Sequence, residues 1–291
     1  MGRAIQVNAR AIRYLGVNRS PVRCEIFAID RRCCIKPGMD EALLNKYELQ
    51  KYRDAIQAVE AKCLVGEKTK NVTGSYCGGF PKVDAGFVWP TKDGYPLDFI
   101  AQLRCKELGL LIPDSGWLLF FYDNRHWGGS PKDLGFAVVL HQRGDRALTT
   151  GDLPSCEMKR LFGLVTSHIQ PKVFQQVGIR FRPGCSFPSL ERELIKFDDE
   201  GWEDAYGNFA YESSHQIQSG GFPNPIQEDF MEYKCIKAFS SGTRNDWQLL
   251  LQLFEVGDME WGDAGALYWF ILKEDLAKGR FDRVWMVTQC G

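Results

Sequence analysis

The sequence Gly78-Gly79-Phe80-Pro81 occurs a second time, as Gly220-Gly221-Phe222-Pro223. An apolar segment containing a Gln-Leu pair follows each copy, at Gln102 and at Gln252. Segments of the form Gly-x-Leu-x-x-Phe come next in both places, beginning at Gly116 and Gly265. The same motifs in the same order are typical of an internal duplication, although short aromatic strands can also match by chance. Each Gly-Gly-Phe-Pro segment is expected to form a turn, with its phenylalanine buried.

The chain around these motifs reads as short strands. Continuous apolar and aromatic runs are typical of strands that are buried on both faces. Five such runs occur, at residues 117–122, 136–140, 249–254, 266–271 and 284–288, and a short helix is expected at 273–278. Two related halves, at about 74–145 and 213–291, are therefore predicted to share one core. The segment from Asp152 to Glu212 mixes short helical and extended patterns.

Helical periodicity is confined to the region before these strands. Asp40 stands at an N-cap position, and apolar residues from Leu44 to Cys63 recur at spacings of three or four. This pattern predicts one amphipathic helix of about six turns. The expected fold class is α+β, with large mixed or antiparallel sheets and an amphipathic N-terminal helix.

The charge distribution separates the start of the chain from the rest. Residues 1–38 carry eight basic and two acidic residues, a charge of +6, whereas the whole chain has a net charge of −1. The composition allows either a transit peptide or a basic extension, and we favour an extension outside the domain at 39–291. A net charge near zero gives no general attraction for nucleic acid or for an acidic membrane.

Membrane insertion and secretion are not indicated. No apolar run approaches the roughly 20 residues that a membrane-spanning helix needs, and no apolar signal segment follows the early arginines. We therefore expect a soluble, cytoplasmic protein. The ten cysteines include no Cys-x-x-Cys pair, so neither zinc nor disulfides are expected, and no cofactor is indicated.

The sequence resembles the YwqG-like family, bacterial proteins built around a domain of unknown function. The resemblance runs from about Asp40 to the end. Its main segments are 97–103, 116–121, 215–227, 247–253, 261–265 and 281–285. It implies an α+β, cytoplasmic domain with no established reaction. Some members are associated by genomic context with toxin and immunity systems, which implies a protein partner.

Six residues are candidates for a site. Asp263 lies in a loop where Gly262 and Gly265 are expected to supply positive φ; the loop is either a turn or an oxygen-rich cation site. Asp123 and His126 follow a predicted strand and could act as an acid–base pair, although a polar hairpin is the simpler interpretation.

The other three candidates lie near the repeated motif. His215 precedes the second Gly-Gly-Phe-Pro segment and is interpreted first as a hydrogen-bonded structural residue. Gln102 and Gln252 stand in apolar strands, where a buried amide must find hydrogen-bonding partners. We predict that both bond to the backbone at equivalent positions.

No motif identifies a nucleophile or a phosphate-binding loop. The leading hypothesis is a non-catalytic protein-binding module, an immunity-type or regulatory partner of another protein. The alternative is an enzyme or small-ligand binder that uses a cleft between the two halves, with Asp263, His215 and Asp123 nearby. Partner identity and oligomeric state do not follow from the sequence.

Overall fold

Apolar segments of the chain pair into one antiparallel sheet. The structure is a computed structural model that describes residues 38–109, 116–126, 130–144, 149–150, 152–160 and 165–291. The basic extension predicted at 1–38 lies outside the described residues, except for Gly38. The strands are β1 Ala61–Thr69, β2 Tyr76–Cys77, β3 Lys82–Val83, β4 Thr91–Lys92, β5 Tyr95–Pro96, β6 Asp98–Arg104, β7 Gly116–Tyr122, β8 Ala137–Arg143, β9 Thr149–Thr150, β10 Cys156–Arg160, β11 Val165–Ile169, β12 Val177–Ser186, β13 Ile217–Ser219, β14 Trp247–Leu253, β15 Ala266–Leu272 and β16 Trp285–Gln289.

The helices lie between and beside these strands. They are α1 Glu41–Lys46, α2 Arg53–Val59, α3 Glu200–Glu212, α4 Met231–Phe239 and α5 Lys273–Ala277. Short 3₁₀ turns occupy Leu49–Tyr52, Pro131–Asp133, Leu190–Arg192 and Arg244–Asp246. The fold is therefore mixed, as predicted. None of the described helices is both long and apolar enough to cross a membrane.

Ten strands form the main sheet, in the order β16-β15-β14-β13-β1-β12-β2-β6-β7-β8. Every neighbouring pair is antiparallel. The sheet curves until it nearly closes into a barrel. Its curvature brings Phe120 of β7 within 5.3 Å, ring to ring, of Trp269 of β15, although six strands separate β7 from β15 in the sheet. β8 and β16 remain as the two edges.

The core lies inside this curve and extends to one outer face. Leu118, Phe120 and Tyr122 of β7 belong to the large internal cluster, which also holds most of β14, β15 and β16. The alternate residues of β7 pack outward with Tyr76 and Trp89 in a second cluster. β7 is therefore buried on both faces, as its continuous apolar sequence predicts.

The predicted N-terminal helix is divided. α1 and α2 are separate, and the chain then enters β1, which contains Cys63. Glu48, with φ of 56°, takes a left-handed conformation that ends the first helix. Asp40 caps α1 as expected, since its side chain accepts hydrogen bonds from the amides of Ala42 and Leu43. The apolar periodicity persists because Leu44 and Ile56 still face one cluster with Phe209 of α3.

Both Gly-Gly-Phe-Pro segments are turns that directly follow a short strand, β2 or β13. Their four glycines have φ between 67° and 75°, a conformation that a residue with a Cβ atom adopts at a cost. The expectation of buried phenylalanines is wrong. Phe80 is 40% exposed and Phe222 is half-buried beneath the Arg192 guanidinium, whereas Pro81 and Pro223 are buried.

Candidate functional site

One cavity lies where the two ends of the curved sheet face each other. This cavity, of about 560 Å³, lies between β8 and residues 279–284, which lead into the other edge strand, β16. The ring centroids of His141 and Phe281, on its two walls, lie 5.3 Å apart. We call this cavity the edge cleft. Its walls are Leu134, Gly135, residues 137–141 and Arg143 on one side, and Phe239, residues 279–282 and Val284 on the other.

The edge cleft meets β8 at its backbone edge rather than at one of its faces. Successive side chains of a strand point to opposite faces, so a cavity over one face would contact alternate residues. Here five consecutive residues, 137–141, line the cavity. β8 has a single strand neighbour among the described residues, β7, so its other edge is not paired within the sheet. The cavity therefore occupies the space beside that edge.

Three arginines and two aspartates of the described residues lie in or beside the walls of the edge cleft. Arg143 is exposed at the end of β8 and forms no ion pair with any described residue. Arg280 bonds to Asp275, which is fully buried, and Arg283 lies 3.7 Å from the other oxygen of the same carboxylate. Asp282 is exposed on the cavity wall. The cleft is therefore mostly apolar, with a small excess of positive charge.

A second, smaller cavity of about 160 Å³ lies between α3 and the second Gly-Gly-Phe-Pro turn. Beside it is a buried ion-pair network. Arg192 bonds to Asp229 and, at 2.8 Å, to Glu232, while Arg244 lies 3.3 Å from Asp229. Asp229 and Glu232 are buried, and each contacts both arginines, so the network joins α4 to the 3₁₀ turns at 190–192 and 244–246. The two arginines and two carboxylates neutralise each other, so this network has a structural role.

The side chains of Asp123 and His126 lie close together but are not hydrogen-bonded to each other. Asp123 is buried at the end of β7 and accepts from the Nε of Arg125 at 2.7 Å and from the Nη2 of Arg125 at 2.5 Å. The Nε2 atom of His126 lies 3.7 Å from the carboxylate, beyond hydrogen-bonding distance. The Arg125 guanidinium in turn stacks 3.6 Å from the Tyr95 ring centroid. The Asp123 carboxylate is thus held by arginine.

Asp98, which sequence reasoning did not select, lies in the same region. It is buried on β6, opposite Tyr122 in the sheet register, and accepts a hydrogen bond from the Lys172 amide at 2.6 Å. Burial raises its pKa to about 6, while the Lys172 amide opposes the rise and the nearby Asp123 charge adds to it. Neither cavity described above is lined by Asp98.

His215 and Asp263 lie in different places. His215 is part-buried before β13, and its Nε2 donates to the Cys185 carbonyl at 2.9 Å. Burial lowers its pKa, so the ring is neutral at pH 7. Asp263 is exposed in the loop between β14 and β15, where its carbonyl accepts from the Gly291 amide. Neither residue lines the edge cleft.

The loop around Asp263 differs from expectation in one detail. Gly262 has φ of 81°, but the next positive φ is at Ala264, not at Gly265. Gly265 is needed for space, because a Cβ atom there would lie 1.7 Å from the Trp261 carbonyl oxygen. Among the described residues, no group of three His, Cys, Asp or Glu side chains is placed to hold a metal ion. The seven described cysteines are free.

Gln102 and Gln252 make matched contacts. The Gln102 Oε1 atom accepts from the Lys82 amide at 2.8 Å, and the Gln252 Oε1 atom accepts from the Asn224 amide at 2.8 Å. Lys82 and Asn224 each follow the proline of a Gly-Gly-Phe-Pro segment. Both glutamines are fully buried, three positions after the start of a β-bulge in their own strand. Each amide therefore holds a turn against the sheet.

The residues of the edge cleft were not found from the sequence. β8 was expected as a strand, but its position at the edge depends on the pairing of distant segments. The sequence signal for a covered edge strand is weak. Residues 136–140 are apolar and contain no charge, and the first charged residue after them is Arg143. An edge strand is usually protected by charges within it.

A family model for a domain of unknown function, DUF1963, matches residues 75–290. This match covers well over half of the chain, and the protein belongs to this family. The matched region runs from β2 to β16 and includes both walls of the edge cleft, but leaves out α1, α2 and β1. No curated protein matches the chain.

Proposed function

We propose that this protein is a non-catalytic binding protein that holds a segment of another protein in the edge cleft. The observation that carries the proposal is the cavity of about 560 Å³ beside the backbone edge of β8. Its volume lies in the range of about 300–1,000 Å³ that is usual for ligand pockets. An immunity-type or regulatory role, which the YwqG-like resemblance implies, is the specific form that we propose.

The chemistry of the cavity walls supports binding over catalysis. In the described part of the chain, the walls contain no serine, cysteine or lysine that could act as a nucleophile. Their polar groups are two arginines, His141 and Asp282, among apolar residues. An apolar surface with a few polar groups provides affinity and orientation for a ligand.

We further propose that residues 74–145 and 213–291 are duplicated halves within a domain at 39–291, with the edge cleft between them. The sheet order supports this proposal, because β2-β6-β7-β8 on one side of the central β1–β12 pair corresponds to β13-β14-β15-β16 on the other. The matched contacts of Gln102 and Gln252 support it too. One wall of the cleft would then come from each half.

A second candidate function is the binding of a small anionic ligand in the same cleft. The exposed residues Arg143 and Arg280 beside a partly open apolar surface favour it. This candidate corresponds to the small-ligand alternative, but at residues other than Asp263, His215 and Asp123.

The experiment is a selection of random displayed peptides against the full chain, repeated with two matched variants. Leu134→Trp adds bulk at a 52% exposed residue of the cleft wall, and Val88→Trp adds similar bulk at an 80% exposed residue outside it. We expect enriched peptides to bind wild type and Val88→Trp equally, and Leu134→Trp at least tenfold more weakly.

The same three proteins are titrated with anilinonaphthalene sulfonate, an anionic aromatic dye. Dye binding that Leu134→Trp abolishes, with no peptide enriched, would favour the small-ligand function. Peptides that bind all three proteins equally would show that binding does not use the edge cleft and would overturn the proposal.

A further inference from the structure

We propose that the occupant of the edge cleft is an extended peptide segment with an acidic side chain, which pairs with β8 as an additional strand. This inference rests on the proposed binding function and goes further, since it names the mode of binding and the chemistry of the partner. The added strand would lie between the two edges of the nearly closed sheet.

The backbone of β8 supports strand addition. Five consecutive residues of β8 line the cavity, which places the unpaired edge of the strand against it. β8 has seven residues and one neighbouring strand among the described residues, so its other edge offers the N–H and C=O groups of alternate residues. An extended peptide that adds to such an edge gains affinity from these main-chain hydrogen bonds.

The sequence of β8 points to an edge that is covered by a partner. Exposed edge strands usually carry charges, prolines or bulges that prevent pairing with other chains. Residues 137–140 are Ala-Val-Val-Leu, with none of these features, and three of the four are only half-buried. Arg143, the one arginine of β8, lies at its end, and the strand contains no lysine, aspartate or glutamate.

The charges around the cleft select an acidic partner. Arg280 and Arg283 share the single buried carboxylate of Asp275, and Arg143 has no partner among the described residues. Asp282 offsets one of these charges, which leaves an excess of one positive charge among the described residues in or beside the cleft walls. A carboxylate on the added segment can form a charge-assisted hydrogen bond with an arginine, an interaction stronger than a neutral one.

A second copy of the chain fits less well. β8 itself contains no acidic residue, so pairing of two β8 strands would place no carboxylate beside Arg143. A partner from another protein can supply both the extended backbone and the acid.

The experiment uses the peptide most enriched in the selection described above, synthesised in several forms. One series carries a single backbone N-methyl group at each position in turn. Strand addition along one edge uses alternate amides of the peptide. We therefore expect methylation at every second position to weaken binding at least tenfold, with little effect between. Equal sensitivity at neighbouring positions would overturn strand addition and leave the binding function intact.

The acidic character is tested with a second series, in which each carboxylate of the peptide is replaced by an amide. For the wild-type protein, we expect the amide at one position to lower the affinity of the peptide about tenfold. For Arg143→Gln, the same replacement should change the affinity very little. Arg180→Gln, which removes a 77% exposed arginine on β12, is the matched control and should behave like wild type. Equal loss with all three proteins would overturn the role of Arg143.

Self-association is measured by analytical ultracentrifugation over a range of concentrations. Dimers that the peptide dissociates would show that a second copy occupies the cleft and would overturn the choice of partner. A failure of the selection itself, with no peptide dependent on the cleft, would overturn the proposed function instead.

Discussion

Gln102 and Gln252 perform the same task at two distant places in the sheet. Each is fully buried and accepts a hydrogen bond from the amide that follows a Gly-Gly-Phe-Pro turn. Replacement of either by leucine keeps most of the volume but leaves a backbone amide without its acceptor. Such a loss costs about 1–3 kcal/mol.

We therefore expect Gln102→Leu and Gln252→Leu each to lower the free energy of unfolding by about 1–3 kcal/mol, measured by urea denaturation. Gln57→Leu, at an exposed position on α2, is the control and should change stability by less than about 0.5 kcal/mol. A large effect at one glutamine and none at the other would contradict the equivalence of the two turns.

The loop around Asp263 contains two glycines that are required for different reasons: Gly265 for space and Gly262 for its positive φ. Gly265→Ala would place a Cβ atom 1.7 Å from a carbonyl oxygen, so we expect a loss of about 3 kcal/mol or more. Gly262→Ala meets the strain of a φ of 81° and should cost about 1 kcal/mol. Asp263→Asn should cost less than about 0.5 kcal/mol, since the exposed side chain is not part of the backbone contact.

Thermal and urea denaturation of the three variants give this order directly. If Asp263→Asn folds normally but abolishes peptide binding in the selection assay, the loop belongs to the binding site. That result would contradict the placement of the site at the edge cleft.

At the scale of elements, Asp98 links strand β6 to the segment before β12. Burial raises the pKa of Asp98 to about 6 from an ordinary value of 3.8. The folded state thus favours the protonated acid. Its favourable contribution to stability is present below about pH 4 and is lost as the pH rises to about 6.

We expect Asp98→Asn to be more stable than wild type at pH 7, by roughly 2–3 kcal/mol, because the variant cannot ionise. The difference should shrink towards zero between pH 6 and pH 4, measured by urea denaturation across that range. Asp54→Asn, at a side chain that is 99% exposed, should show almost no such trend. A stability difference for Asp98→Asn that grows as the pH falls would contradict the burial of this carboxyl group.

The elements differ in how far the sequence predicts them. β7, β14, β15 and β16 are continuous apolar runs, and all were predicted close to their observed bounds. The prediction of a single N-terminal helix was wrong. The apolar spacing continues across Glu48, but the backbone there takes a left-handed conformation that ends the first helix. β1 and β12 were missed. β1 mixes a short apolar run with charged residues, and β12 contains Pro183 and two glycines, so neither has a clear strand pattern. The two strands pair with each other over nine positions.

At the scale of the whole molecule, the candidate site was the hardest part to predict. His215, Asp123 and Asp263 were selected for their chemistry. His215 bonds to a backbone carbonyl, Asp123 is paired with Arg125, and the exposed Asp263 side chain lines neither cavity. The edge cleft instead depends on the closure of the sheet, which brings β8 to residues 279–284 across more than a hundred residues of sequence. Local patterns carry no information about that approach.

The central claim is that the edge of β8 is the binding surface. Residue-resolved amide hydrogen exchange, with and without the enriched peptide, tests it most directly. We predict slower exchange at alternate amides of Ala137–Arg143, no change at the second cavity beside α3, and no protection in Leu134→Trp. Unchanged exchange throughout β8, with protection at residues 123–126 or beside α3, would contradict the account.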